Sequence, residues 1–284
     1  MCSLNNAARS GGLYPLGVLG RPAVPSTLEL DGQISSPGLS STLALGFNHV
    51  SKVFPDGTRA VDDVTFQVRV REMVAIVGPS GCGKSTLLRL ASNLTVPTTG
   101  EIRVGDGNLG YVFQDPTLLP WRTVQRNVEL LAELAGVPSG ERASRAAQAI
   151  RLTGLSGFEK HRPRALSGGM RMRVSLARAL TRRPRIFLFD EPFGALDEIT
   201  RERLNVELLG LFEREAFAGL FVTHSVVEAA FMASRVLVMS PRPGSIVAEI
   251  AIPFGYPRPP ELRFDPRFAA VAGQISASLR EKLA

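Results

Sequence analysis

Nine consecutive residues, 78–86, have the types and spacing that hold the phosphates of a nucleotide. The pattern is a glycine, four further residues and Gly-Lys-Ser, in which glycines let successive backbone N–H groups point toward one phosphate. An apolar run precedes this loop and a helical pattern follows it, so the helix N-terminus would add its positive dipole end. We predict a nucleoside triphosphate site in which Lys84 reaches the β- and γ-phosphates and Ser85 offers a hydroxyl to Mg²⁺; a Gly-rich turn without a ligand is the alternative. The predicted nucleotide contacts are Gly78, Pro79, Ser80, Gly81, Cys82, Gly83, Lys84, Ser85 and Thr86.

Two adjacent carboxylates, Asp190 and Glu191, follow a second apolar run at residues 186–189. At a strand end facing the phosphates, Asp190 would hold Mg²⁺ through water and Glu191 would accept a proton from the attacking water. Adjacent carboxylates at a strand end can instead cap the following turn. The phosphate loop upstream favours the catalytic interpretation.

A second anion site is predicted where Ser167, Gly168 and Gly169 begin a helical segment that runs to residue 180. A hydroxyl, two small residues and free backbone N–H groups at a helix start suit a negatively charged ligand. Because the loop at 78–86 already holds its own nucleotide, we expect the second site to serve the nucleotide of a partner subunit.

These residues need strands and helices to position them, and the apolar pattern predicts both. Residues 43–50 and 61–70 alternate between apolar and polar positions around a Phe-Pro-Asp-Gly turn, which predicts an antiparallel pair. From residue 185 onward, buried strands alternate with helices, which predicts a parallel sheet. Residues about 115–180 have helical spacing and are predicted to form an inserted helical subdomain. The predicted fold class is therefore α/β, a P-loop NTPase core with an antiparallel β subdomain and that helical insertion.

Composition divides the chain into three parts. Residues 1–42 are rich in Gly, Pro and Ser, which predicts a flexible tail and not a signal peptide. Residues 43–252 carry the motifs and form the predicted ATP-binding domain. Residues 253–284 begin with a Pro- and Arg-rich stretch and end in a predicted helix at 266–283.

Charge, cysteine content and hydropathy exclude several classes of protein. The net charge is +7, and nine basic residues with no acidic one lie between Lys160 and Arg185. That stretch overlaps the second anion site and has no interleaved aromatic residue, so we expect no nucleic-acid partner. The two cysteines, Cys2 and Cys82, give no disulfide framework, which fits a reducing cytoplasm. No apolar run approaches the ~20 residues that cross a bilayer.

The motifs occur in the order and spacing found in ATP-binding cassette proteins, which the chain resembles over residues 43–252. The set comprises Walker A at 78–86, Gln114 after a short strand, the signature at 166–171, Walker B at 186–191, an Ala-Leu-Asp segment at 195–197, and His224. Residues 113–124 and 190–197 further resemble the ATPase subunits of importers for nitrate, sulfonates, taurine and related solutes.

The resemblance implies roles for further residues. Gln114 would link Mg²⁺ or the attacking water to the helical subdomain, and His224 would contact the γ-phosphate and help to position the water. Phe54 matches an aromatic that stacks on adenine, although the family usually has Tyr there and a simple apolar anchor is the alternative. Asp197 would lie at the dimer interface. Met172 departs from the family, which commonly has Gln at this position; the departure puts one inter-subunit hydrogen bond in doubt without undermining the motif.

The resemblance implies an ATP hydrolase that requires ATP and Mg²⁺ and forms an ATP-dependent dimer with a second copy of itself. Its further partners would be integral membrane permease subunits and, indirectly, an extracytoplasmic solute-binding protein, at the cytoplasmic face of the inner membrane. Trp121, in a loop, would help to receive a permease helix unless its ring folds onto its own subdomain. The alternatives are the ATPase of an exporter and a soluble cassette protein acting in translation or DNA repair. A P-loop kinase or GTPase would leave the signature unexplained.

Overall fold

A three-stranded antiparallel sheet forms the first part of the chain. The computed structural model describes residues 43–281, so the predicted tail at 1–42 lies outside the described residues. The strands are β1 (Leu43–Val53), β2 (Arg59–Arg69) and β4 (Thr99–Val104), in the order β2-β1-β4. The predicted antiparallel pairing of β1 with β2 is confirmed, and the stacked rings of Phe47 and Phe66, 4.6 Å apart, join the two strands.

A six-stranded sheet forms the centre of the molecule. Its strand order is β5-β6-β7-β3-β8-β9. The strands are β3 (Met73–Val77), β5 (Leu109–Val112), β6 (Ile186–Asp190), β7 (Ala218–Val222), β8 (Arg235–Met239) and β9 (Ile246–Ala251). The first five pair in parallel, as predicted, and their near-continuous apolar sequences are typical of strands covered on both faces.

The edge strand β9 was not predicted from the sequence. It pairs antiparallel with β8, and most of its residues are partly exposed. An edge strand has no partner on one side and is only partly buried, so its apolar pattern is weaker than that of a central strand.

Two groups of helices surround the sheets. Helices α5 (Glu198–Glu215) and α6 (Val226–Met232) connect strands of the parallel sheet, as in βαβ units, and α1 (Lys84–Ala91) connects β3 to β4 of the antiparallel sheet. Helices α2 (Val124–Leu134), α3 (Ser139–Leu152) and α4 (Gly168–Leu180) lie between β5 and β6, within the predicted helical subdomain. These three helices pack around their own apolar cluster, which contains Val124, Val128, Ala149, Ile150, Val174 and Ala177.

The last helix, α7 (Pro266–Glu281), packs on α6 and β8. Its buried residues Phe268 and Ile275 belong to the same hydrophobic core as the central sheet. Arg258, only 4% exposed, donates hydrogen bonds to the carbonyl oxygens of Ala230, Phe231 and Ala233 and so satisfies the C-terminal end of α6. None of the helices within residues 43–281 has the length and apolar composition to cross a bilayer.

Candidate nucleotide site

The predicted site residues follow neighbouring strands at one edge of the central sheet. Parallel strands place their carboxyl ends at the same edge, where α/β proteins bind ligands. The loop 78–86 follows β3, Gln114 follows β5, Asp190 ends β6, and His224 lies two residues beyond β7. The strand order β5-β6-β7-β3 therefore brings together four segments that are far apart in sequence.

The phosphate loop has a backbone that only glycine accommodates easily at Gly81 and Gly83. Their φ angles are 74° and 113°, in the left-handed region. A Cβ atom at Gly83 would lie 2.7 Å from the carbonyl oxygen of Ala60, which no side chain could tolerate without a backbone shift. Gly83 is also the N-cap of α1, so the loop delivers its backbone N–H groups at a helix start. The loop thus fits a bound phosphate chain.

Lys84 lies inside this loop and is 6% exposed. Its Nζ donates to the carbonyl oxygens of Gly78 and Pro79 at 2.9 and 3.0 Å, and it lies 3.9 Å from Oε1 of Glu191. A buried ammonium held by neutral carbonyls gains more from phosphate oxygens, because charge-assisted hydrogen bonds are roughly twice as strong as neutral ones. Lys84 is therefore placed to exchange loop carbonyls for phosphates.

Ser85 and Asp190 meet on the other side of the loop. The Ser85 hydroxyl donates to Oδ1 of Asp190 at 2.8 Å, and the Tyr111 hydroxyl donates to Oδ2 at 3.2 Å. A hydroxyl beside a carboxylate is the hard oxygen set that Mg²⁺ prefers. Within residues 43–281, no cluster of three His, Cys, Asp or Glu side chains could hold a metal alone. The residues therefore fit a Mg²⁺ ion that enters with a nucleotide, whose phosphates supply the remaining ligands.

Glu191 and His224 form a pair next to Lys84. Nδ1 of His224 lies 2.8 Å from Oε2 of Glu191, and the Glu191 side chain is 21% exposed. Glu191 has a φ of 45°, a conformation that is costly for a residue with a Cβ, and its amide donates to Val222 at 2.9 Å. Such strain concentrates at functional sites. The strand end thus turns the Glu191 carboxylate toward both a lysine and a histidine.

Gln114 and Phe54 are placed less firmly. Gln114 is exposed, and its side chain makes no hydrogen bond to any residue between 43 and 281. Phe54 lies in the turn between β1 and β2, where its amide donates to the Thr58 carbonyl, and Lys52 Nζ lies 5.5 Å from the ring centroid. The structure brings neither side chain into contact with the phosphate loop, so both remain predictions.

The signature residues form a separate helix start. Ser167 is the N-cap of α4, and its Oγ accepts a hydrogen bond from the amide of Met170 at 3.2 Å. A Cβ atom at Gly168 would lie 3.0 Å from Leu196, and one at Gly169 would lie 3.1 Å from Thr200, so this helix start packs against the start of α5. Asp197 caps α5 and accepts from the Thr200 amide at 2.9 Å. Within the described part of the chain, Ser167 makes no hydrogen bond to the phosphate loop.

Met172 stands where the family commonly has Gln, and its effect on an inter-subunit hydrogen bond stays a prediction. Met172 is 5% exposed and belongs to the apolar cluster that contains Phe189 and Phe193. A side chain at this position points into its own subunit, and Met is compatible with that apolar environment.

Two residues of the site were missed in the sequence. Tyr111 contacts Asp190, and burial together with the charge of Asp190 raises the pKa of its hydroxyl, which therefore stays a donor. Arg178, 8% exposed, donates to the carbonyl oxygens of Pro116 and Thr117 at 2.8 and 3.0 Å, and so ties the loop after Gln114 to α4. Burial lowers the pKa of its guanidinium. Arg178 lies one turn after the buried Val174, a position from which the helical period could have indicated its burial.

Comparison with known proteins agrees with this geometry. Residues 61–194 match the family model described as ABC transporter. Taurine import ATP-binding protein TauB of Rhizobium johnstonii is 43% identical over 235 residues, which cover 78% of this chain and 88% of that protein. TauB of Yersinia pestis is 43% identical over 206 residues, covering 70% of this chain and 81% of that protein. An ABC transporter ATP-binding protein of Methanocaldococcus jannaschii is 43% identical over 224 residues, covering 75% of this chain and 84% of that protein.

Solved structures give the same result. A dimeric ATP-binding cassette in a post-hydrolysis state, bound to ADP and phosphate, is 31% identical with a TM-score of 0.65, covering 74% of this chain and all of that one. A Clostridium perfringens protein, part of the ABC transporter complex cbiONQ, has a TM-score of 0.69 at 23% identity and covers 84% of this chain and 97% of that one, which shows the fold.

Proposed function

The chain belongs to the ATP-binding cassette family and is an ATP-hydrolysing subunit of a transporter, and from this premise we propose that it energises the import of a small anion or organic solute, such as nitrate, a sulfonate or taurine. Two dimeric structures of one ATP-binding cassette are among its structural neighbours, which supports a dimer here. Each ATP would lie between the phosphate loop of one copy and residues 167–169 of the other. The observation that carries this proposal is the presence of two separate anion-binding helix starts, at Gly83 and Ser167, in one chain.

The residues of the first helix start divide the work of hydrolysis. The loop amides and Lys84 would bind the phosphates, and Ser85 and Asp190 would hold Mg²⁺, which when bound neutralises charge on the phosphate oxygens. Glu191 would take a proton from water as the water oxygen attacks the γ-phosphorus, and ADP would depart with the bridging oxygen. His224, 2.8 Å from Glu191, would hold that carboxylate in place.

The solute class rests on relatives whose names refer to taurine import. Taurine carries a sulfonate, and a separate binding protein and permease would select the solute. The proposed location is the cytoplasmic face of the membrane, against that permease. An exporter is the alternative, and the import named in the relatives favours the importer.

Trp121 marks the proposed permease contact. Its side chain is 68% exposed in the loop before α2, which excludes a ring folded onto its own subdomain. Hydrogen bonds from Asn127 of α2 hold this loop in place. The Asn127 side chain accepts from the Leu119 amide at 2.8 Å and donates to the carbonyl oxygens of Leu119 and Arg122. A rigid loop that presents an amphipathic ring is a suitable interface anchor.

The shared-site proposal is tested with Glu191→Gln, which keeps the shape of the side chain and removes its proton affinity. Light scattering should show monomers without nucleotide and dimers with Mg-ATP, since binding only to the dimer shifts association by mass action. Ser167→Arg in that background should abolish the dimer while ATP binding to the monomer survives. Ser139→Arg, at the exposed start of α3, is the matched control and should still dimerise. A Ser167→Arg double variant that still dimerises with ATP would overturn the proposal.

The permease contact is tested in a complex reconstituted with the permease encoded beside this chain. Trp121→Ala should keep basal ATPase activity and melting temperature but uncouple hydrolysis from transport. Leu134→Ala removes another exposed apolar side chain of the helical subdomain, 75% exposed, and should leave transport unchanged. Equal transport in both variants would show that Trp121 is not part of the interface. If the neighbouring genes encode neither a permease nor a binding protein, the importer proposal is contradicted.

A further inference from the structure

The loop between β8 and β9, residues 240–245, packs against the phosphate loop. Strand β8 is the neighbour of β3, so its carboxyl end emerges beside residue 78. The loop is closed on itself, because the Ser240 amide donates to the Ser245 carbonyl at 3.0 Å and the Ser245 amide donates to Ser240 Oγ at 3.0 Å. We call this segment the brace loop.

Gly244 of the brace loop touches the phosphate loop backbone directly. A Cβ atom at Gly244 would lie 2.0 Å from the carbonyl oxygen of Cys82, a distance that no side chain permits. The Gly244 amide donates to the Ala60 carbonyl at 3.0 Å, and the Asp62 amide donates to the Gly244 carbonyl at 2.9 Å. The same Ala60 carbonyl excludes a Cβ at Gly83. Strand β2, the brace loop and the phosphate loop therefore meet around one carbonyl group.

Arg242 makes the polar contact at this junction. Its Nε donates to the carbonyl oxygen of Gly81 at 3.1 Å. A trans peptide is planar, so fixing the Gly81 carbonyl also fixes the direction of the Cys82 N–H. That N–H donates to Pro79 at 3.3 Å and closes the turn of the phosphate loop. Arg242 thus acts on a peptide group inside the motif from a residue 161 positions away.

The positive charge of Arg242 forms no ion pair with a residue between 43 and 281. Two neighbouring groups sense this charge. Hydrogen bonding by Thr58 lowers the pKa of Asp56, and the charge of Arg242 adds to that effect. Burial raises the pKa of the Cys82 thiol, while the charges of Lys84 and Arg242 oppose the rise. The charge of Arg242 therefore acts both on the phosphate loop and on the turn that carries Phe54.

We propose that Arg242 is a positioning residue for nucleotide binding, which fixes the Gly81–Cys82 peptide from outside the phosphate loop and adds positive charge beside the nucleotide. This inference rests on the proposed function, since it takes residues 78–86 as the ATP site. Arg242 should therefore favour a triphosphate over a monophosphate. A triphosphate places more negative charge near the guanidinium, so its binding depends more on Arg242.

The experiment measures dissociation constants for ATP and AMP in Arg242→Ala, Arg242→Gln and Arg242→Lys by calorimetry, with KM, kcat and melting temperature. Arg242→Ala should weaken ATP binding about 5- to 10-fold, less than the loss of a buried charge-assisted hydrogen bond because Arg242 is exposed, and should weaken AMP binding about 2-fold at most. The effect should appear in KM more than in kcat and shrink as salt rises. Arg242→Lys should recover part of the ATP affinity, and Arg242→Gln should recover none of the salt-dependent part.

Arg280→Ala is the matched control, since Arg280 is also exposed and also donates from Nε to one backbone carbonyl, that of Ser276. The inference is overturned if Arg242→Ala binds ATP as the control does, or if ATP and AMP weaken equally while the melting temperature falls in all three variants. Lys84→Ala separates this result from failure of the proposed function. If Lys84→Ala also binds ATP normally, the phosphate-loop assignment itself is wrong; if only the Arg242 variants do, only this inference fails.

Discussion

The N-terminal ends of α1 and α4 are both suited to an anion, but their surroundings differ. The start of α1 is enclosed by its own chain, because Gly83 is in contact with Ala60, Lys84 is 6% exposed, and Ser85 is bonded to Asp190. The start of α4 is capped by its own Ser167, which is exposed, and packs only its glycines against α5. The first end has a lysine, two carboxylates and a histidine within the subunit, whereas the second has the Ser167 hydroxyl and Arg171, whose guanidinium donates to the Leu166 carbonyl.

This difference explains how one chain can carry both halves of a nucleotide site. A cation, a carboxylate pair and a histidine lie at the first helix start, where bonds to phosphate are broken. The second offers a hydroxyl, backbone N–H groups and the Arg171 guanidinium, which can bind negative charge but have no group that takes up a proton at neutral pH. Such an incomplete site becomes useful when a second copy brings it against a nucleotide that is already bound.

The residues around the start of α1 form what we call the enclosed site. The largest expected effect comes from removing its cation, Lys84. Lys84→Ala should cost about 3 kcal/mol or more of ATP binding, on the order of 100-fold, and abolish hydrolysis, because two or more charge-assisted hydrogen bonds are lost. Calorimetry and phosphate release measure both quantities. Lys160→Ala, which removes an exposed ammonium of the helical subdomain, should change neither. Unchanged turnover in Lys84→Ala would remove the phosphate-loop assignment.

Alanine at one glycine of each helix start compares the two ends directly. Gly83→Ala should cost several kcal/mol of unfolding free energy and all ATP binding, because the left-handed φ is unfavourable and the new methyl meets backbone. Gly168→Ala meets only the tip of Leu196, so the monomer should keep its melting temperature and its ATP affinity. We expect this variant to impair only the ATP-dependent dimer. Calorimetry measures the ATP affinity, thermal unfolding the melting temperature, and light scattering the dimer. Similar losses of melting temperature in both variants would contradict the proposed difference between the two helix starts.

The sequence predicted the residues of the enclosed site better than the residues that hold them in position. Motif spacing located Lys84, Asp190 and Glu191, because phosphate and proton chemistry restrict residue types at fixed positions. Tyr111 and Arg178 were missed because their roles depend on contacts across 79 and 61 or more residues, which no local pattern records. The hydrogen bonds of Arg258 to the end of α6, across 25 to 28 residues, were missed for the same reason, whereas β9 was missed because a partly exposed edge strand has a weak apolar pattern. The roles of Phe54 and Gln114 remain predictions, since both act on a ligand.

Tyr111→Phe tests how much of the enclosed site depends on such a support. The variant keeps the ring, stacked 4.0 Å from that of Phe113, and removes one hydrogen bond to Asp190. Loss of about 1 kcal/mol should raise the Mg²⁺ concentration for half-maximal hydrolysis roughly 5-fold, with little change in the ATP-dependent dimer of the Glu191→Gln background. A titration of ATPase activity with Mg²⁺ measures it. An unchanged midpoint would show that Ser85 alone orients Asp190.

The smallest effect concerns Glu228, a buried support of the strand end that carries His224. Glu228 is 5% exposed, bonds to the Thr223 hydroxyl, and has no hydrogen-bond partner for Oε1 among the described residues. Burial raises the pKa of this carboxyl above its usual 4.5, against the opposing effects of Thr223, Asn205, Arg201 and His224. A carboxyl whose pKa is raised by folding contributes stability that is complete below pH 4.5 and is lost as the pH rises through the folded-state pKa.

Glu228→Gln stays neutral at every pH, so the difference in melting temperature between parent and variant should move in the variant's favour between pH 5 and pH 8. The expected direction follows from the raised pKa: the variant gains stability relative to the parent as the pH rises above 4.5. Glu228 acts through Thr223, which precedes His224, and no hydrogen bond among the described residues joins Glu228 to the start of α4. The pH dependence of the melting temperature should therefore respond to Glu228 and not to a change at the start of α4. Thermal unfolding of both proteins across this range provides the measurement, and Ser167→Ala should show the parent's pH dependence. A parent–variant difference that is flat with pH would mean that Glu228 is ionised in the folded protein and that Thr223 and Arg201 outweigh its burial.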